Sequence, residues 1–296
     1  MSLFKGIIPA LITPMTAEQA IDEAGLRQLI ERLIAAGVHA LFVLGTNGEF
    51  IALNEAEKLA IARIAVDQAA GRLPVIAGTG AYATRDVIEL NKKMVDLGVD
   101  AASIITPYFN GNNQRELVAH YEQIAAASPM PIMLYTIPAK AGVTLTVDSV
   151  ARLAEIPNIA GIKDSSGDFD RLVQLIRLRS DNFAVFTGTD SMILWALIAG
   201  ADGAVAATTN AVPQVVMSIY RHFQAGNIDA ARTAQEALRP LRDAFGLGST
   251  PVVLKAAAGM LGMPAGPARQ PSLPLDEATL QRLSTALDIY RRRQNW

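Results

Sequence analysis

Three stretches of this sequence repeat one pattern: Ala36-Gly37-Val38-His39-Ala40-Leu41-Phe42-Val43, Leu97-Gly98-Val99-Asp100-Ala101-Ala102-Ser103-Ile104 and Ala199-Gly200-Ala201-Asp202-Gly203-Ala204-Val205. Each carries a glycine that takes the left-handed conformation at no steric cost and so ends a helix. The apolar run that follows is too short for a helix and too continuous for an edge strand. A parallel strand, covered on both faces, needs such a run. The pattern therefore predicts strands that each follow a helix.

Working outward, eight candidate strands start near Gly6, His39, Pro74, Ala101, Pro131, Ile159, Ala184 and Gly203. Most intervals are roughly 25 to 35 residues, enough for one strand, one helix and two loops. Helical periodicity fills them. Leu26, Leu29, Ile30, Leu33 and Ile34 form one apolar face; a second helix begins at Asn54 with Glu57 at capping-box spacing; a third opens at Thr84. Eight strand–helix repeats with right-handed crossovers close into a (β/α)8 TIM barrel, an α/β fold. The competing topology, an open doubly wound sheet, wants a glycine-rich phosphate loop after the first strand, and Thr13-Pro14-Met15 is not one. Beyond about residue 225 the strand signal stops. Asn227 to Phe245, Pro251 to Leu261 and Leu275 to Tyr290 read as helices, with an irregular Gly/Pro-rich link over residues 262–274. The expected division is a catalytic barrel at 1–225 and a C-terminal helical extension at 226–296.

Composition narrows the chemistry. Among 296 residues, 26 Lys+Arg face 28 Asp+Glu, which gives no basic footprint for nucleic acid or an anionic membrane. The absence of cysteine excludes disulfides, Cys-ligated zinc, iron–sulfur clusters and thiol catalysis. His39, His120 and His222 lie far apart, so no histidine metal site is expected, and His120 reads as a surface or core residue of a helix. The start of the sequence lacks the layout of a signal peptide, and no apolar run is long enough to span a bilayer. A cytoplasmic protein that binds neither membrane nor nucleic acid is the expectation.

In a barrel of this type the active site lies at the C-terminal ends of the strands. Those ends read Thr13-Pro14, Gly45-Thr46-Asn47-Gly48-Glu49, Gly78-Thr79-Gly80, Thr106-Pro107-Tyr108-Phe109-Asn110, Tyr135-Thr136-Ile137-Pro138, Lys163-Asp164-Ser165-Ser166-Gly167-Asp168, Thr187-Gly188-Thr189-Asp190 and Thr208-Thr209-Asn210. Among Lys5, Lys58, Lys92, Lys93, Lys140, Lys163 and Lys255, only Lys163 directly closes an apolar strand. A lysine facing a barrel interior loses hydration, which favours the neutral amine, a nucleophile toward ketones. Position alone leaves a second role open: an ion pair with Asp164 or Asp190. Tyr135 closes the adjacent strand, where a phenol can relay a proton or simply fill space. The 45–49 turn offers backbone N–H groups and the Thr46 hydroxyl to a carboxylate. Gly188 and Asp190, at the end of strand seven, are further candidates for substrate contact.

These residues together resemble the dihydrodipicolinate synthase and N-acetylneuraminate lyase family: GTNGE at 45–49, TPYF at 106–109, Tyr135 with Pro138, and Lys163 within GIKDSSGD. The resemblance spans essentially the whole chain, including GTGAYAT at 78–84 and the late link with Arg269. It implies a barrel with a C-terminal helical domain, assembled as a homotetramer, a dimer of dimers. It implies a Schiff base between Lys163 and pyruvate or another 2-oxo acid, with Tyr135 and Thr46 relaying protons. The Thr46-Asn47 backbone would cradle the carboxylate, and the Val205 carbonyl would lie near the substrate. Neither cofactor nor metal is implied.

Four departures concern the second substrate. Phe109 stands where typical dihydrodipicolinate synthases carry a tyrosine that enters the neighbouring subunit's site. Lys140 stands where they carry an arginine for the aldehyde substrate's carboxylate, and it lacks the bidentate fork. GTNGE replaces GTTGE, and Tyr82 replaces the asparagine of lysine-inhibited members. The reading that follows is a Schiff-base lyase, a class I aldolase or dehydratase, acting through Lys163 on pyruvate or another 2-oxo acid, sugar-derived acids included. The alternatives are a 4-hydroxy-tetrahydrodipicolinate synthase condensing pyruvate with aspartate semialdehyde, and an inactive barrel that binds a 2-oxo acid. Lys163, Tyr135 and Thr46 together count against the last, because a binder needs no nucleophile.

Overall fold

The computed structural model describes residues 4–292. Eight strands alternate with helices: β1 (Gly6–Pro9), β2 (Leu41–Val43), β3 (Val75–Gly78), β4 (Ala101–Ile105), β5 (Ile132–Thr136), β6 (Ile159–Asp164), β7 (Ala184–Thr187) and β8 (Gly203–Ala206). All pair in parallel, in the order β1-β8-β7-β6-β5-β4-β3-β2. The last seam closes where Ala10 bridges Phe42 and the Leu11 N–H donates to the Phe42 carbonyl at 2.8 Å. The result is the expected (β/α)8 barrel, and each strand starts within two residues of its expected position.

The opening pattern has a second task. Gly37, Gly98 and Gly200 all lie in the left-handed region, at φ 85, 82 and 102°. Two residues later, each repeat carries a side-chain acceptor for the start of the preceding strand. His39 Nδ1 accepts from the Ile7 N–H at 3.0 Å, Asp100 from Val75 at 2.8 Å and Asp202 from Val185 at 2.9 Å. Buried strand-end amides need such partners. Burial lowers the His39 pKa, in keeping with its neutral, accepting nitrogen.

Strand alternation divides the core. Ile8, Phe42, Ile76, Met133, Phe186 and Val205 fill the barrel interior, while the opposite strand faces pack against the helices. Leu26, Leu29, Ile30 and Leu33 are fully buried, and Ile34 only partly. The second helix (Glu55–Ala69) has the capping box from Asn54 and Glu57, and the third spans Thr84–Asp96.

Past the barrel helix Pro213–Gln224, the helix expected over 227–245 is two, Ile228–Ala237 and Arg239–Ala244. Pro240 explains the break, because it has no N–H for the ladder and its ring crowds the preceding turn. Helices Val252–Met260 and Glu277–Arg292 follow, and Leu238, Leu254 and Leu283 join the core outside the barrel sheet. Between these two helices the 262–274 link has neither helix nor strand. It lies against the residues that follow β1: Met15 N–H donates to Ala265 O at 3.1 Å, and Arg269 Nη2 to Gln19 O at 2.6 Å. Among the described residues no helix is long and apolar enough to cross a membrane.

Candidate active site

Tyr135, Lys163 and Phe186 sit in register on β5, β6 and β7. Lys163 is 4% exposed, and its Nζ lies 4.0 Å from the Tyr135 ring centroid and 5.1 Å from that of Phe42. Among the described residues the ammonium has no hydrogen-bond or ion-pair partner. Both carboxylates that could have neutralised it are engaged elsewhere. Asp164, one residue further, turns to the opposite face of β6, as the two-residue period of a strand requires. There it accepts from the Ser166 N–H and hydroxyl and, at 2.8 Å, from Arg171 Nε. Arg171 is anchored in turn on the Leu145 carbonyl. Asp190 accepts from the Ala207 and Thr208 N–H groups at 3.2 and 2.6 Å, holding the exit of β8. Lys163 is thus a buried amine faced by aromatic rings.

Tyr135 is buried, and its hydroxyl lies 3.1 Å from Thr46 Oγ1. Thr46 rides on the turn after β2, in which the Gly48 and Glu49 N–H groups bond back to Gly45 and Thr46. Neither the Thr46 nor the Asn47 N–H has an acceptor among the described residues, so two adjacent donors are available for an anion. Gly188 is a close-approach position: a Cβ there would lie 2.0 Å from Ser165 Oγ and 2.9 Å from Lys163 Cε. Val205 faces the barrel axis in the same inner cluster as Phe42 and Phe186. Lys140 lies apart from this group, exposed on the short helix Pro138–Ala141. Phe109 is 96% exposed at φ 84°, a conformation that non-glycine residues rarely adopt.

Two features escape a reading of strand ends. Ser103 has a buried hydroxyl with no partner, in a cavity that it shares with Thr46 and Tyr135 and that has room for about one water molecule. Lys255, on the helix Val252–Met260, is 2% exposed and pairs with Glu49 at 2.8 Å. A lysine inside Val252-Val253-Leu254-Lys255-Ala256-Ala257-Ala258 was legible as buried, because a helix apolar on every side is packed on every side. His120 proves to be a core residue, 5% exposed, with Nδ1 2.9 Å from Thr84 Oγ1.

Comparison with known proteins identifies the family. Residues 3–290 match the model of the dihydrodipicolinate synthetase family. The chain is 40% identical to a 4-hydroxy-tetrahydrodipicolinate synthase of Methanothrix thermoacetophila, over 96% of each chain. A crystal structure of a dihydrodipicolinate synthase from Bacillus anthracis superposes with a TM-score of 0.94 at 36% identity, covering 97% of this chain and 99% of that one. A prophage protein of the dihydrodipicolinic acid synthase family from E. coli K12, solved in complex with pyruvate, also gives 0.94, at 35% identity and with 98% and 99% covered. The chain belongs to the dihydrodipicolinate synthetase family and is a lyase of that family.

Proposed function

We propose that Lys163 forms a Schiff base with pyruvate or a related 2-oxo acid. The neutral amine adds to the C2 carbonyl and water leaves, which gives an iminium. The iminium makes the C3 protons acidic, and Tyr135, hydrogen-bonded to Thr46, carries a proton away from or back to C3. The resulting enamine attacks an aldehyde, and in reverse a C–C bond breaks; loss of a C4 hydroxyl from the enamine gives dehydration instead. The Thr46 and Asn47 N–H groups hold the carboxylate, Gly188 keeps space open beside Lys163, and Val205 borders the substrate. Asp190 acts by fixing the β8 exit. The observation that carries this reading is the buried Lys163 amine without a counter-charge, 4.0 Å from a tyrosine ring. Borohydride reduction with pyruvate, read by intact mass, is expected to add one reduced pyruvate at Lys163. No adduct, or an adduct that persists in Lys163→Ala, overturns it.

For the second substrate, Phe109 and Lys140 favour a class I aldolase or dehydratase acting on a 2-oxo acid, sugar-derived acids included, over condensation with aspartate semialdehyde. Relatives 34–40% identical, named 4-hydroxy-tetrahydrodipicolinate synthase, support the second reading. A panel of 2-oxo-3-deoxy sugar acids, run beside aspartate semialdehyde plus pyruvate, separates the two by product. Exposed Lys140 is a candidate for an anionic arm of either partner. We further propose that residues 1–225 form the catalytic barrel and that 226–296 buttress it. A homotetramer is supported by the exposed apolar side chains of Phe109, Phe169, Trp195 and Ile198, and light scattering tests it. A cytoplasmic location suits a pyruvate-consuming enzyme, and cell fractionation tests that.

A further inference from the structure

We infer that the buried Glu49–Lys255 pair is a positioning device for Thr46, tying the exits of β1 and β2 to the C-terminal link and so setting where the Thr46 hydroxyl meets Tyr135. The inference rests on the Schiff-base reading above. Each of the three Lys255 ammonium protons goes to a different segment. One reaches Thr13 O at 2.8 Å beyond β1, one Glu49 Oε1 at 2.8 Å beyond β2, and one Pro267 O at 2.6 Å in the link. The other Glu49 oxygen accepts from the Arg269 N–H at 2.7 Å. Glu49 itself sits at φ 60°, and its N–H donates to the Thr46 carbonyl at 3.2 Å. Thr13 Oγ1 donates to the Gly48 carbonyl at 2.8 Å. The turn that carries Thr46 is therefore held from β1, from the helix bearing Lys255 and from the link. The link is pressed closely onto its neighbour, since a Cβ on Gly266 would lie 1.7 Å from Met15 O.

Stability is a poor reason for this pair. Well-packed apolar residues often replace a buried ion pair at no cost or with a gain. What the pair adds is direction, because three carbonyl or carboxylate oxygens fix one nitrogen. Direction matters for the relay, where a misplacement of about 1 Å costs about a hundredfold in rate. Lys163 stands on β6, across the barrel, and is not touched by any of these bonds.

The test follows exchange of the pyruvate methyl protons for deuterium in D2O by NMR, which needs imine formation and the relay but no second substrate. The variants Lys255→Met and Glu49→Gln are compared with wild type, each also combined with Thr46→Val. The expected result is an exchange rate lowered by about tenfold or more, with the borohydride adduct still formed at saturating pyruvate. In the Thr46→Val background the same substitutions are expected to change the rate by less than about threefold, because neighbours acting through one group are not additive. If Lys255→Met does not fold, Glu49→Gln, which keeps the side-chain shape, completes the cycle. Folded variants with wild-type exchange overturn the inference, as does an equal effect in both backgrounds. Loss of the fold in both single variants also overturns it, since the pair would then only maintain structure. Absence of adduct and exchange in the wild type would instead overturn the Schiff-base reading.

Discussion

Replacing each of two buried lysines by methionine should move stability in opposite directions. Lys163 is 4% exposed with no counter-charge, whereas Lys255 is 2% exposed and pairs with Glu49. A buried polar group without a hydrogen-bond partner costs about 1–3 kcal/mol whatever its charge, and methionine would keep the contact with the Tyr135 and Phe42 faces. Methionine keeps most of the apolar stem, so Lys163→Met is expected to stabilise by about 1–3 kcal/mol while abolishing the pyruvate adduct. At about 2.1 cal/mol/K per residue, unfolding entropy for this length is about 0.6 kcal/mol/K, so Tm should rise by about 2–5 °C. Lys255→Met strands the Glu49 carboxylate, at a cost of about 3–5 kcal/mol, and Tm should fall by about 5–8 °C. Calorimetric scans of the three proteins under one condition decide the matter. A Lys163→Met that melts below wild type would mean that Lys163 is a structural cation, and the reasoning fails.

Tyr135→Phe should slow pyruvate methyl exchange by about two orders of magnitude while still forming the adduct; a rate near wild type would leave the tyrosine a purely structural role. Gly188→Ala should block adduct formation, since the added Cβ would lie 2.9 Å from Lys163 Cε and 2.0 Å from Ser165 Oγ; normal labelling with pyruvate would count against Gly188 as the open side of the site. Burial lowers the His120 pKa from 6.5 to about 4, so the folded chain keeps this ring neutral where the unfolded chain protonates it. The stability that it contributes above pH 6.5 is lost as pH falls toward 4, by up to about 3 kcal/mol. His120→Asn should flatten the urea midpoint between pH 7 and 4.5, and an unchanged slope would show that other groups govern acid sensitivity.

The barrel was legible because its signals are local. A glycine that stops a helix and an apolar run covered on both faces are each set by backbone geometry within a few residues. The capping box at Asn54 and Glu57 is of the same kind, and so was Lys163, the one lysine closing an apolar run. The single helix expected over 227–245 failed on Pro240, whose local signal was outweighed by the apolar periodicity around it. Lys255 escaped because a strand-end search passes over a lysine in a late helix, although its apolar neighbours mark it as buried.

Sequence alone determined the alternation of strands and helices, the end of the barrel in which to look for chemistry, and the lysine to test there, since those follow from repeating hydrogen-bond periods and from scarcity of cations. It left open whether Lys163 has a counter-charge. Only the tertiary structure decided that: the pleat turns Asp164 away toward Arg171, and the β8 exit takes Asp190. The structure likewise decided which cation serves Glu49, bringing Lys255 from 206 residues away. Choice of partner depends on which groups the closed barrel and its C-terminal link leave within about 3 Å of each other after water has been excluded. That selection is made by packing over the whole chain, and no local pattern records it.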